Sequence, residues 1–331
     1  MWRRTDFLER TSRFLTLTAL ALAIVAGIGA PLLAISWSHQ AFPGFLMEET
    51  LVVNEMGGSG WPGRARGIDY PQRLTRLAGR PVTTEAEYDA VASSLRVGQT
   101  VSIFTLSPDG QSRLFPAVEL ITFPVVDLIR LFWVPYLVGL AYAAIGLWIY
   151  QLKGMSRSGR ALAFFCFATS LSCTLFFDAA SSHVVSALWL AALALLGGTL
   201  ISLGLRFPVE WQPVVQRPWL LGLPYGVSMF LAGWGFLALH AANPWAYIPN
   251  RYAVYLFTVI AAVFFLTIMV LRARRIESAT VRRQARIVLL GSVLAFAPIA
   301  IWFLGTISGP WFTLDVALFL PPLIIFPISV A

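Results

Sequence analysis

Charge is what this 331-residue chain has least of. Asp, Glu, Lys and Arg make up 12% of it and hydrophobic residues 58%, whereas soluble domains carry about 25% charged residues. That balance excludes an ordinary soluble protein, which would have to bury some eight wholly apolar helices around one small core. Cysteine is almost absent. Cys166 and Cys173 stand seven residues apart in one apolar stretch, roughly 10 Å along a helix, too far for a disulfide within it. Histidine is limited to His39, His183 and His240, in three different connections. That scatter is not the spacing of a metal site, and no metal ligand is assigned.

What is present is apolar length. Eight mostly apolar stretches fall at about 14–36, 128–150, 161–178, 184–205, 219–240, 253–271, 288–307 and 314–331. A helix needs about 20 such residues to cross a bilayer, so the pattern predicts a polytopic α-helical membrane protein with about eight transmembrane helices. Fifteen of the 24 lysines and arginines gather on one set of connections: Arg3, Arg4, Arg10 and Arg13; Lys153, Arg157 and Arg160; Arg206 and Arg217; Arg272, Arg274, Arg275, Arg282, Arg283 and Arg286. The short connections of the other set carry only Arg251. Lys/Arg excess marks the cytoplasmic face, which places both termini in the cytoplasm, in a cell (inner or plasma) membrane, and residues 37–126 outside. Trp133, Trp148, Tyr150, Trp211, Trp219, Trp245, Tyr247 and Trp311 fall near span ends, as interfacial aromatics do. The first apolar run, about 22 residues, exceeds the 7–15 of a signal-peptide core. A retained anchor is expected, with a cleaved signal peptide as the alternative; 37–126 is extracytoplasmic either way.

No Asp, Glu, Lys, Arg or His stands in the middle of any span. Ion-coupled carriers and intramembrane proteases place ionisable groups at that depth, so both classes are disfavoured, while a carrier for a neutral solute stays open. Asp127 and Arg130, three apart at the outer end of the second span, are placed for an i,i+3 ion pair. Gly197, Gly198 and Gly204 would permit close helix contact. The three regions expected are 1–36, a cytoplasmic tail and first span; 37–126, an outer domain; and 127–331, seven further spans.

The outer segment alternates between strand and turn signals. Residues 45–55 read as one or two short strands, followed by the glycine-rich run Gly57-Gly58-Ser59-Gly60-Trp61-Pro62-Gly63. Leu74 and Leu77 lead into a tight turn at Gly79. Thr84 with Glu87 forms a capping box for a helix to about Leu95, and Asp109-Gly110 marks a hairpin between Thr100–Leu106 and Gln111–Leu120. The ungapped run Gly67-Ile68-Asp69-Tyr70-Pro71-Gln72-Arg73-Leu74-Thr75-Arg76-Leu77-Ala78-Gly79-Arg80-Pro81-Val82 resembles the PDZ signature, with Pro71-Gln72 in place of its Gly-Asp and Ala78 in place of its Asn. The resemblance implies an inserted extracytoplasmic α+β PDZ-like domain. Such domains take an extended peptide onto a sheet edge. Their carboxylate loop would correspond to Gly44, Phe45 and Leu46, and the helix lining the groove to Tyr88, Val91 and Ala92.

Six arginines lie between Arg272 and Arg286 without an interleaved aromatic, between two spans. Contact with the anionic inner leaflet explains them better than nucleic acid. From Val281 the string Val-Arg-Arg-Gln-Ala-Arg-Ile-Val-Leu-Leu-Gly is similar to the penultimate span of a bacterial sensor histidine kinase family, with Ile287 where that family has Trp, and Pro321–Ala331 looks like its last span. In competence-type members a PDZ-like domain sits between the first two spans. The resemblance implies the sensing half of a two-component histidine kinase, truncated before its kinase domains, binding a peptide or small extracytoplasmic ligand. It also implies a homodimer that reaches a response regulator through the missing domain. ATP and Mg would belong to that domain only. This chain shows no catalytic motif and no cofactor site of its own. The alternatives are a PDZ-tethered membrane scaffold and a neutral-solute carrier.

Overall fold

A computed structural model describes residues 2–207, 210–275, 279–309 and 314–330. Helix α1 is Trp2–Ser38. Helices α2 (Pro62–Ala65) and α3 (Glu85–Ala92) belong to the polar insert. Helix α4 (Val125–Leu128) runs through a π-turn, Ile129–Trp133, into α5 (Val134–Lys153). Then follow α6 (Arg157–Thr174), α7 (Ser186–Arg206), α8 (Gln212–Gln216), α9 (Gly222–Leu239), α10 (Tyr247–Arg275), α11 (Ala279–Ser308) and α12 (Ile325–Val330). Trp311, residues 276–278 of the arginine-rich loop and Ala331 lie outside the described residues, as do the side chains of Arg3, Arg4 and Arg275.

Among the described residues six segments are long and apolar enough to cross a bilayer: Glu9–Ser38, Val125–Lys153, Ser186–Arg206, Pro218–Leu239, Tyr247–Arg274 and Arg282–Ser308. The chain is therefore a multi-pass helical membrane protein. Two of the eight expected spans fall short of that measure. Helix α6 carries Arg157 and Arg160 in its first turn and a run of Ser, Thr and Cys. The segment after Leu314 is broken by 3₁₀ turns at Val316–Leu318 and Pro321–Ile324, where Pro321 and Pro322 offer no N–H to an α-helical ladder.

Of these six segments α7 is the most enclosed and α1 and α9 are the most peripheral. Val25, Ile28 and Leu32 on α1 and Phe230 and Leu237 on α9 are about two-thirds exposed or more (67–71%), an apolar band suited to lipid. Glycines set the closest crossings. A methyl on Gly139 of α5 would stand 2.9 Å from the Ser170 carbonyl of α6. Gly198 sits against Ser228 and Pro224 of α9, and Gly197 and Gly204 against Phe257 and Phe265 of α10. The glycines that looked free for close contact are thus occupied by helices of the same chain.

The polar insert holds four antiparallel strands, β1 (Arg73–Leu77), β2 (Arg80–Pro81), β3 (Thr100–Leu106) and β4 (Ser112–Glu119), in the order β2-β1-β3-β4. Ala78 and Gly79 both take positive φ, 51° and 77°, the backbone of a two-residue hairpin turn whose twist matches the strands. The expected capping box is present, with Thr84 Oγ1 accepting from Glu87 N and Glu87 accepting from the Thr84 backbone. The β3–β4 turn closes through Gly110 N–H to Ser107 O, with Gly110 at φ 83°. Residues 45–55 do not form strands. They fold as a tight turn in which Leu51 N–H returns to Glu48 O, tied by single bridges Met47–Val53 and Val52–Arg73.

Phe45 and Leu46 point into two different cores. Phe45 joins Leu51, Ile68, Leu74, Leu77, Val91 and Ile103 inside the insert. Leu46 joins Phe42, Trp61 and Phe123 in a cluster that continues through the helical bundle. The insert is therefore seated on the bundle. It meets the end of α1, the start of α4, the α6–α7 loop and the start of α10. The arginines gather at the opposite end, where Arg157 pairs with Glu9 and Glu210 at 3.6 and 3.8 Å and Arg272 caps the Leu205 and Phe207 carbonyls.

Gly139→Ala is expected to lower bundle stability by about 1–3 kcal/mol through overpacking. Gly226→Ala on α9, where a methyl would meet nothing within 4 Å, should raise it by about 0.5–1 kcal/mol. Thermal unfolding of the two variants in one detergent checks the pair. Equal shifts would show that the α5–α6 crossing is not set by Gly139.

Candidate functional site

The contact between insert and bundle is polar at its centre. Arg251, one turn into α10, is 4% exposed and pairs with Glu48, and its Nη2 donates to Glu55 Oε1 at 2.9 Å. Its guanidinium lies 5.5 and 5.6 Å from the ring centres of Tyr70 and Tyr252, within cation–π range. Tyr252 donates to the same Glu55 oxygen at 3.2 Å, and the hydroxyls of Tyr252 and Tyr70 lie 3.1 Å apart. The turn at Glu48–Leu51 is what aims Glu48 downward. Burial pushes the Glu48 carboxyl above its ordinary range, although Arg251 pulls the other way. Glu48 Oε2 and Arg251 Nε are buried without a hydrogen-bond partner.

Three further contacts surround this centre. Trp61 Nε1 donates to Asp127 Oδ2 at 2.7 Å, inside an edge-to-face cluster of Trp37, Phe42, Trp61, Phe123 and Phe177 with ring centres 4.9–5.8 Å apart. Trp245 Nε1 donates to the Pro71 carbonyl at 2.8 Å. His183, in the α6–α7 loop, places Nδ1 2.8 Å from Glu85 Oε1 and Nε2 2.9 Å from the Met47 carbonyl. Both partners accept, so both ring nitrogens must donate, and the imidazole is held as a cation. Burial alone would lower its pKa. The hydrogen bond and charge of Glu85, the Met47 carbonyl and the charge of Asp178 outweigh burial and set it above the ordinary 6.5.

Between these contacts lies a cavity of about 500 Å³. Glu48, Glu55, Arg64 and Asp69 line it from the insert, and Asp127, Arg130, Arg251 and Asp315 from the bundle. Arg64 pairs with Asp69. Asp315 accepts from Ala317 N at the head of its 3₁₀ turn. Arg130 reaches the cavity because the π-turn resets the helix there. Val134 N–H bonds back to Ile129 O, and the next residue, Pro135, has no N–H to give. The expected Asp127–Arg130 ion pair does not form, since Asp127 is turned to Trp61. Beneath this chamber a second, almost wholly apolar space of about 80 Å³ runs between α6, α7, α10 and α11.

The residues assigned to a peptide groove lie elsewhere. Gly44 (φ 84°) packs its backbone against Pro62 and Gly63. Phe45, Val91 and Ala92 are 1, 7 and 9% exposed, in the insert's own core with Tyr88 at its edge. Leu46 faces the bundle cluster. None of the six lines either cavity. Sequence reasoning missed Glu48, Glu55, Arg251, His183 and the Trp61–Asp127 bond. One sign of them was legible: Arg251 is the single Lys or Arg of the short connections on the arginine-poor side, beside an apolar span, and so in need of a carboxylate. No protein family, curated protein or solved structure matches the chain.

A histidine whose folded pKa is raised contributes stability that is complete below its unfolded value and lost as pH rises through the folded value. Hydrogen exchange of Met47 and of 85–92 should therefore quicken as pH climbs above 6.5, after correction for intrinsic rates, and His183→Ala should abolish that dependence. An unchanged profile in the variant would remove His183 as the cause. Arg251→Ala is expected to destabilise the seated insert by about 3–5 kcal/mol, the cost of stranding buried carboxylates. Arg251→Met combined with Glu48→Leu should recover part of it, as read by chemical unfolding of all three proteins.

Proposed function

We propose that this chain is a membrane-embedded sensing module in which an extracytoplasmic ligand enters the cavity between insert and bundle and alters how the two are seated. In this reading the chain makes eight spans with both termini cytoplasmic, and the insert is a PDZ-like domain outside. The change passes along α10 and the last span to a cytoplasmic histidine kinase, working as a homodimer on a response regulator, as in the family that the sequence resembles. One observation carries the reading: the Glu48–Arg251–Glu55 pairing joins the outer domain to a long helix that ends in the arginine-rich face. A ligand that competes for any of these three groups changes the packing of α10 directly, and differential affinity for two packings is all that signalling requires.

Several features support the finer points. Helix α6 is enclosed by its neighbours over most of its length, as a span inside a bundle would be. Tyr142 of α5 donates to the Leu323 carbonyl at 2.7 Å, and Ser329 packs against Gly291 of α11, so the last segment descends toward the arginines. The arginine clustering favours that end as cytoplasmic. The burial of Phe45, Val91 and Ala92 in the insert's core favours the cavity over the peptide groove as the ligand's place in this reading.

Joining the chain after Ala331 to the dimerisation and ATPase regions of a histidine kinase tests this. Autophosphorylation in vesicles should differ by about fivefold or more between the unaltered chimaera and its Arg251→Ala form. Equal output from two intact, membrane-inserted proteins would end the sensing reading. Alkaline phosphatase inserted near Gly110 should be active and after Arg275 silent, and the reverse pattern would overturn the orientation.

A further inference from the structure

The two cavities are stacked, and together they describe an amphiphile. Phe176, Trp189, Tyr255, Trp302 and Val316 belong to the walls of both, so the floor of the charged chamber is the roof of the apolar one. Six carboxylates face the upper chamber, those of Glu48, Glu49, Glu55, Asp69, Asp127 and Asp315, against three guanidiniums, of Arg64, Arg130 and Arg251. The chamber is thus acidic within a chain whose net charge is +8. Among the described residues Glu49 makes no hydrogen bond or ion pair. Glu48 Oε2 is an unpartnered buried acceptor and Arg251 Nε an unpartnered buried donor, on side chains 5% and 4% exposed. A buried polar atom without a partner is costly, and a guest that satisfies both atoms recovers that cost.

We infer that this site binds a lipophilic 2-amino alcohol or a close relative, with its ammonium on Glu48 Oε2, its neighbouring oxygen on Arg251 Nε and one short hydrocarbon tail in the lower slot. The excess of carboxylates selects a cation over a carboxylate or phosphate head. The side chains of Trp189, Tyr255 and Trp302 at the neck offer both a polar group and apolar ring surface, which suits a polar head above an alkyl chain. Length follows from volume. At about 10–15 Å³ per water-sized group, a slot of 80 Å³ takes roughly six methylenes. A two-chain membrane aminolipid does not fit, so a free single-chain amine is the occupant.

This assignment gives the proposed sensing function its ligand class, but the binding it asserts is measured without any kinase. A silent chimaera and an empty site are therefore separate results. The whole chain in phosphatidylcholine nanodiscs, whose headgroup has no N–H, is titrated with 2-aminooctan-1-ol, octan-1-ol and octanoate while tryptophan fluorescence is followed. Protein-free nanodiscs correct for partitioning. The amino alcohol should bind saturably and at least tenfold more tightly than the alcohol or the acid. Glu48→Gln, and separately Ala262→Leu, which fills the slot, should each weaken it at least tenfold. Octanoate binding as tightly as the amine, or no saturable binding of the amine, overturns the proposal on the unaltered protein alone. An affinity unchanged in a folded Glu48→Gln or Ala262→Leu protein overturns the placement of head or tail.

Discussion

The buried pairing of Arg251 with Glu48 and Glu55 is the constraint on which the rest of this structure depends. A guanidinium taken out of water needs its charge and its N–H groups answered where it stands, and a buried carboxylate needs the same. Neither element can answer alone. The insert has no cation near Glu48 other than Arg64, which is committed to Asp69 and to the Asn54 and Met56 carbonyls. Among the described residues the ion pairs of Arg251 are with Glu48 and Glu55 of the insert, while Asp127 of the bundle is bonded to Trp61 and Asp315 to the Ala317 amide. Seating the insert brings Arg251 against Glu48 and Glu55 and answers most of these groups, leaving Glu48 Oε2 and Arg251 Nε without partners. The flanking contacts then follow: Trp61 onto Asp127, Trp245 onto Pro71, and His183 between Glu85 and Met47.

A pairing of this kind specifies geometry more than it stabilises, because desolvation consumes much of the attraction. Beside it an aromatic cluster adds buried apolar contact to the seating. Trp37, Phe42, Trp61, Phe123 and Phe177 bring together the end of α1, the base of the insert and the α6–α7 connection in edge-to-face contacts. Such contacts tolerate small rotations. The charged centre does not, since moving Arg251 away from either carboxylate strands a charge.

The parts of this fold that were legible in the sequence are those set by local chemistry. Apolar length located the helices. Thr84 and Glu87 announced the start of α3, and Gly79 and Gly110 the two hairpin turns, even though Ala78 takes the place of an asparagine in the first. The site was not legible because it is assembled over distance: Glu48 and Arg251 are 203 residues apart, and His183 and Met47 136 apart. No spacing rule reaches that far. The expectation of strands at 45–55 failed for the same reason. Alternation of Leu, Val and Met there reads as a strand, but the turn at Glu48–Leu51 is held by what Glu48 finds on α10. The Asp127–Arg130 pair was drawn from i,i+3 geometry that the π-turn and the indole of Trp61 both displace. Gly197, Gly198 and Gly204 were recognised as contact positions, but sequence could not say that α9 and α10 of the same chain would fill them.

Linkage then ties the acidic chamber to the charged centre. Any guest cation that shares Glu48 with Arg251 weakens the Arg251–Glu48 attraction by dividing one carboxylate between two positive groups, and Glu55 must carry more of the guanidinium. If a second binding event at the arginine-rich end of α10 changes guest affinity at the Arg251 end, the guest changes that event's affinity by the same factor, because coupling is reciprocal. The apolar slot below bears on the same helices, since its walls are drawn from α6, α7, α10 and α11 at once. A tail lodged there sits at the crossing of the helices that would have to move, while its head sits on the charge that holds them. Head and tail acting on one helix from two sides is how a small ligand could bias a large bundle without touching its far end.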